Sequence, residues 1–289
     1  MNGGQSRAVA GGRVYVLQAN TSSYGSSSAS LLTSATGNPV DSIGYYALTS
    51  KYGAFSIAGD YTCAPGRQVY LYVRGGNSGS DGANSAIGLM ASLGACPPGG
   101  NFDAAEPFVF VNEVTTVAAA YAMSAGATDA THVSTLGPLA PRSGIASAAD
   151  LASTATGFAI TALSAQPEGQ LARGKLHTLA NILSACINSG SPTSDGCATL
   201  FANAQSNGTA GARAHDTATA AIYIARNPHA HVAALYSLQS RVAPAFLPAL
   251  QSAPRDFTIS LAAHAPGTAV ADADFRPEAN RVAPGSGLQ

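Results

Sequence analysis

Cys186 and Cys197 close the segment CINSGSPTSDGC, where ten mostly small or polar residues separate two thiols. Three chemistries fit such a pair: a metal loop, a reactive dithiol, or a disulfide across a turn. Zinc usually takes closely spaced cysteine pairs with histidine, and no second ligand pair stands nearby. A redox dithiol is normally closely spaced beside an activating environment. The segment therefore reads as a tied turn between two helices, Leu176–Ile187 and Cys197–Ala204. The remaining cysteines, Cys63 and Cys96, also lack CxxC spacing. Sequential pairing is the simplest arrangement, although four cysteines allow three connectivities. On the chain-entropy account the short loop contributes about 3 kcal/mol and the longer one nearer 4 kcal/mol.

Other segments invite a chemical reading and then weaken it. GGNSGSDG, residues 75–82, flanks Ser78 with glycine as in trypsin-like proteases. Such a serine needs an imidazole oriented by a carboxylate. In that family the histidine comes first, whereas the first histidine here is His132. GQLARGKL, residues 169–176, nearly matches a phosphate loop, but Leu176 stands where a hydroxyl should hold Mg²⁺ and SAQPE precedes it in place of a strand. Lys175 is expected to be a solvated residue near a helix start. His229 and His231, with His215 and Asp216 upstream, offer imidazoles to a transition metal. Residues two apart on a helix do not face each other, however, so first-turn polar residues are expected instead. Glu113 sits among apolar neighbours; it could serve as a general acid, but a first-turn role at a helix start is expected. Tyr70 and Tyr72, with Tyr15 on a neighbouring strand, could form an aromatic platform for sugars. The other reading is that this face packs beneath helices. No catalytic residue, metal or cofactor is assigned.

These residues need a scaffold. GGRVYVLQAN, KYGAFSIAGDYTC and RQVYLYVRGG alternate as strands do, separated by Ser/Gly/Asn-rich stretches that suggest an antiparallel sandwich. In the third, Val69, Leu71 and Val73 share one face and Tyr70, Tyr72 and Arg74 the other. CPPGGNFDAAEP reads as an exit linker. Beyond FVFV the period changes. NEVTTVAAAYAMSAG predicts a helix capped by Asn112. LHTLANILSACI, HDTATAAIYIARN and NPHAHVAALYSLQ predict three more helices, the last with Asn227 as its cap and Pro228 at its first position. Eight of eleven tyrosines precede residue 80, and Ala-rich periods dominate after residue 110. That shift suggests two domains.

Composition narrows the function. Charged residues make up 10% of the chain, against roughly 25% in typical soluble domains, so the polar surface must draw on Ser, Thr, Asn, Gln and Gly. A formal net charge of −1 without basic runs excludes nucleic acid, whose binding rests on Lys and Arg at phosphates. No stretch approaches the roughly 18 apolar residues of a membrane span. Disulfides imply an oxidising compartment, yet MNGGQSRAVAGG carries no leader pattern. The expectation is a leader missing from this chain.

The strings GGRVYVLQANTSSYG, YGAFSIAGDYTC, VYLYVRGGNSG, NSAIGLMASLGAC, FVFVNEVTTVAAAYAM, LHTLANILSACINS, TATAAIYIARNP and VAALYSL, taken in order, resemble a group of exported bacterial proteins of the acidobacterial type. In these a β-sandwich of the carboxypeptidase-regulatory or immunoglobulin-like kind precedes an Ala-rich helical module, and NHL-type propeller repeats often follow. The resemblance covers roughly residues 3–260. It implies export, pairing of Cys63 with Cys96 and of Cys186 with Cys197, and a non-enzymatic role; it supplies no catalytic residues. Both ends depart from the pattern, as expected of a fragment, and an incomplete first strand would leave a sheet edge open to a partner.

The resulting expectation is an α+β chain of two domains: an antiparallel β-sandwich, Ig-like or prealbumin-like, over residues 1–100, and a compact all-α domain over 101–255. A further strand and a loose tail are expected over 256–289. The expected function is a non-enzymatic secreted or cell-surface module of structural or adhesion type, facing an extracellular protein or polysaccharide. Carbohydrate binding through Tyr15, Tyr70 and Tyr72 is the alternative.

Overall fold

The computed structural model describes residues 2–3, 7–57, 59, 61–79, 82–106, 108–135, 148–164, 167–240 and 243–261. Nine strands are found among them: β1 Asn2–Gly3, β2 Arg7–Ala8, β3 Arg13–Gln18, β4 Ala29–Ser30, β5 Ala47–Leu48, β6 Gln68–Arg74, β7 Gly88–Ala95, β8 Ala127–Asp129 and β9 His132–Val133. Five α-helices accompany them: α1 Glu113–Met123, α2 Pro167–Ile187, α3 Asp195–Asn203, α4 Thr217–Arg226 and α5 Val232–Tyr236. The chain is thus mixed α+β with antiparallel sheets. The principal sheet runs β4-β3-β6-β7, with β5 also paired to β3.

β6 carries the alternation expected of it, but both of its faces are covered. Val69 through Val73 are all at most 3% exposed. In register, Val14 stands opposite Val73 and Val16 opposite Leu71, while Tyr15 stands opposite Tyr72 and Leu17 opposite Tyr70. One face of β3 and β6 is therefore aliphatic, and the other carries the tyrosines together with Leu17. Tyr15 stacks on Tyr72 with ring centroids 6.0 Å apart. A sheet buried on both faces cannot keep one face wet, and tyrosine satisfies this by sending its hydroxyl to a partner.

The outer edge of β7 would expose unpaired backbone groups, and the first turns of two helices cover it. Thr217 Oγ1 accepts from Gly88 N–H at 2.9 Å and lies 2.6 Å from Gly88 O. Thr116 Oγ1 accepts from Met90 N–H at 2.9 Å, and Thr115 Oγ1 donates to Met90 O at 2.9 Å. The helices can approach this closely because residue 88 is glycine; a β-carbon there would collide with the Asp216 carboxylate. Thr217→Val keeps the shape and removes the hydroxyl, leaving two buried backbone groups unpaired. A loss of about 1–3 kcal/mol is expected, measured by urea denaturation.

The helix ends follow local chemistry. Asn112 and Thr115 form a reciprocal capping box at α1. Asp216 accepts from Ala218 and Thr219 N–H at α4, and Ser194 caps α3. Two expectations need correction. α2 begins at Pro167 rather than Leu176, so GQLARGKL is helix and Lys175 is buried, its Nζ 3.1 Å from Asp256 and 2.7 Å from Thr258 O. Asn227 ends α4, its N–H reaching Tyr223 and Ile224 carbonyls. α5 starts only at Val232, after His231 in a left-handed conformation.

A single buried apolar cluster includes Tyr72 and Ile87 of the first hundred residues together with Val117, Leu183 and Ile222 of the helices. Its packing shows no break at residue 100. Residues 256–261 form no strand; Phe257 and Ile259 are fully buried, and Tyr121 donates to Phe257 O at 2.6 Å. The expected tail from 262 to 289 lies outside the described residues.

His177 gives this assembly a pH dependence. Its Nδ1 lies 2.9 Å from Pro248 O, and burial lowers its pKa below the ordinary 6.5. The unfolded chain takes up a proton near that value while the folded chain resists it. Stability is therefore fully present above about pH 6.5 and declines as pH falls below it. His177→Gln should flatten that slope in denaturation curves taken at about pH 7.5 and about pH 5.5.

Candidate functional site

The four cysteines form two disulfides, Cys63–Cys96 and Cys186–Cys197, with Cα atoms 6.0 and 4.4 Å apart. The second ties the end of α2 to the start of α3. Ser78 is buried there, its hydroxyl donating to Ile187 O at 2.7 Å, and Asn84 Nδ2 donates to Cys186 O at 2.8 Å. Ser78 thus belongs to the packing around the staple.

The tyrosine platform is overturned by burial. Tyr15, Tyr70 and Tyr72 are at most 1% exposed, so no ring face is available to a sugar. Tyr15 Oη lies 2.7 Å from Asp41 Oδ2, and Tyr70 Oη lies 2.8 Å from Ser28 Oγ and 3.0 Å from Ala130 O. Glu113 is wholly buried at the start of α1, with Ser184 Oγ 3.0 Å from its Oε1. His215 lies 3.4 Å from Asp216 and His229 lies 3.8 Å from Asp256, so these histidines serve different partners. Among the described residues, no group of three or more His, Cys, Asp or Glu side chains is placed to hold a metal. No described helix is long and apolar enough to cross a membrane.

The structure instead opens a groove on the aliphatic face of the sheet. Val16 of β3, Leu71 of β6 and Leu93 of β7 line a cavity of about 360 Å³. Phe55 and Ile57 contribute from one loop; Tyr61, Phe102, Phe108, Val109 and Phe110 contribute from others. Phe108 and Phe110 are 77% and 39% exposed, an unusual cost for two phenylalanines beside an apolar cavity. Among the described residues, Asp103 and Glu106 are the charged ones in the lining, and no Lys or Arg joins them. The volume lies in the range of small-ligand sites, roughly 300–1,000 Å³.

Local chemistry positions these walls. The Cys63–Cys96 bridge holds the segments bearing Tyr61 and Phe102 together. Cys63 N–H donates to Gly100 O at 2.8 Å, and Phe102 N–H donates to Tyr61 Oη at 3.0 Å. Burial pushes the Tyr61 pKa up from its ordinary 10, and the neutral phenol accepts this bond. On the other wall, Phe110 N–H donates to Thr154 O at 2.7 Å, and Thr154 Oγ1 donates to Glu106 at 3.1 Å. The linker expected over residues 96–107 carries Phe102, Asp103 and Glu106, and FVFV beyond it is read in the sequence only as the point where the period changes. The alternation of FVFV, with two aromatics on one side, is the local signal for Phe108 and Phe110.

The chain matches no family model, no curated protein and no solved structure with which it was compared. The resemblance to exported bacterial proteins remains a reading of the segments quoted for it.

Proposed function

We propose that the chain is an exported, disulfide-tied binding module of adhesion type, and that its groove takes an apolar peptide segment of an extracellular protein bearing a positive charge. The observation that carries this reading is the cavity of about 360 Å³ beside exposed Phe108 and Phe110, with Asp103 and Glu106 as its charged residues. Apolar residues supply the contact, and the carboxylates select a cation over an anion. Two disulfides support the oxidising setting. The antiparallel strands followed by helices are consistent with the order of elements in the exported group.

The test is NMR shift mapping with a short peptide alternating Phe and Lys, and with the same peptide acetylated on its lysines. The cationic peptide should perturb groove resonances, and the acetylated one should bind more weakly. The double variant Phe108→Ala/Phe110→Ala should weaken binding by about 10-fold or more, the usual scale for aromatic anchors. Undisturbed groove resonances at saturating peptide would refute the reading.

A further inference from the structure

We propose that Ser27, His132 and Asp129 form a base-activated serine that cleaves small acyl esters, a chemical activity beyond the binding role of the groove. Ser27 Oγ lies 3.1 Å from His132 Nε2, and His132 Nδ1 lies 2.9 Å from the Asp129 carboxylate. This is the connectivity of nucleophile, base and orienting acid. A carboxylate only accepts, so in the neutral ring Nδ1 carries the hydrogen given to Asp129 and the Nε2 lone pair faces the serine hydroxyl.

The carboxylate is fixed from three further directions. Thr131 N–H, Thr131 Oγ1 and His132 N–H donate to Asp129 Oδ1 at 2.7, 2.8 and 3.0 Å. Burial alone would raise the Asp129 pKa, but these bonds and His132 outweigh it and hold it below the ordinary range. The supporting shell is equally specific. Asp129 ends β8 and His132 begins β9, so the hairpin sets their spacing. The serine loop is pinned to that hairpin: Ser28 N–H donates to Thr131 O at 2.8 Å, and Asn20 N–H donates to Val133 O at 2.9 Å. Tyr70 reaches Ser28 and Ala130 from the sheet. It stands on the face opposite Leu71, so this site and the groove lie on opposite sides of the sheet.

Accessibility defines the substrate. Ser27 is exposed and the His132 side chain is 36% exposed. The neighbouring loop residues Ser22, Ser23 and Ser26 are uncharged hydroxyls. An open, hydroxyl-rich surface suits an acetyl-sized ester on a polar, uncharged carrier rather than a long acyl chain. In the reaction, Ser27 Oγ bonds to the ester carbonyl carbon while its proton passes to His132 Nε2. The adduct expels the alcohol, which leaves with that proton. Water then attacks the acyl-serine, giving its proton to Nε2; the acid departs and the Ser27 hydroxyl is restored.

The test is covalent labelling of the intact protein by a fluorophosphonate, mapped to individual serines by mass spectrometry, alongside hydrolysis of p-nitrophenyl acetate. Ser27 should label far faster than Ser22, Ser23 and Ser26, which serve as internal controls within the same loop. His132→Gln should slow labelling about 10²–10⁴-fold, the usual contribution of a positioned base. Asp129→Asn should also slow it by leaving the imidazole in the wrong tautomer, and Ser27→Ala should abolish both label and hydrolysis while unfolding with the wild type. Labelling of Ser27 at the rate of its neighbours, or at an unchanged rate in folded His132→Gln, would overturn the proposal. Either result leaves the peptide test of the groove unaffected.

Discussion

Tyr70→Ala should destabilise the protein by about 3–5 kcal/mol, the range for removing a buried aromatic ring. Tyr70 is fully buried in a strand paired on both sides. Its ring fills the face beneath the β8–β9 hairpin, and its hydroxyl meets Ser28 and Ala130. Truncation therefore opens a cavity and strips partners from two groups at once. Tyr70→Phe isolates the second effect and should cost about 1–3 kcal/mol, the penalty for leaving a buried polar group unpaired. Urea denaturation of both variants checks the pair of values. An exposed sugar platform would give the opposite pattern, with stability unchanged and ligand retention lost.

The second large effect concerns the disulfides. Cys63→Ser/Cys96→Ser should cost about 4 kcal/mol and Cys186→Ser/Cys197→Ser about 3 kcal/mol, since the bridges close sequence separations of 33 and 11 residues. Paired replacement avoids a stray thiol, and midpoint shifts in denaturation measure the loss. Against a typical total of roughly 5–15 kcal/mol, losing both removes a large part of the stability. The functional consequences should differ. Removing Cys63–Cys96 frees the segments bearing Tyr61 and Phe102 and so weakens peptide binding at the groove. Removing Cys186–Cys197 loosens the α2–α3 turn and leaves the groove walls tied.

Elements governed by neighbouring residues were legible in the sequence. Asn112 marked the start of α1 because capping involves residues three apart, and the alternation in QVYLYVR marked β6 because a strand repeats every two residues. Asn227 misled because asparagine suits either end of a helix; here its side chain reaches the Tyr223 carbonyl and those of Gln205 and Ser206, 22 and 21 residues away. Lys175 misled because its partner Asp256 is 81 residues away. Tyrosine's mixed character left both readings of its face of β6 open, and the structure shows that face covered.

The sites were harder to read for the same reason. The groove assembles Val16, Leu71 and Leu93 from three strands with aromatics from separate loops, a grouping without any sequence period. Ser27 lies in a serine-rich stretch and meets His132 across 105 residues. Glycine-flanked Ser78, already weakened as a nucleophile because the histidines follow it in the chain, packs against the staple. The cysteines were the most legible chemistry, because their spacing and number restrict the choices before any fold is known.

The most direct test of the account is a disulfide peptide map of the protein recovered without reductant and alkylated before digestion. The account predicts two linked peptide pairs, Cys63 with Cys96 and Cys186 with Cys197, and no alkylated thiol. Crossed pairs would contradict the covalent framework that positions the groove, and four alkylated cysteines would also remove the case for an oxidising compartment.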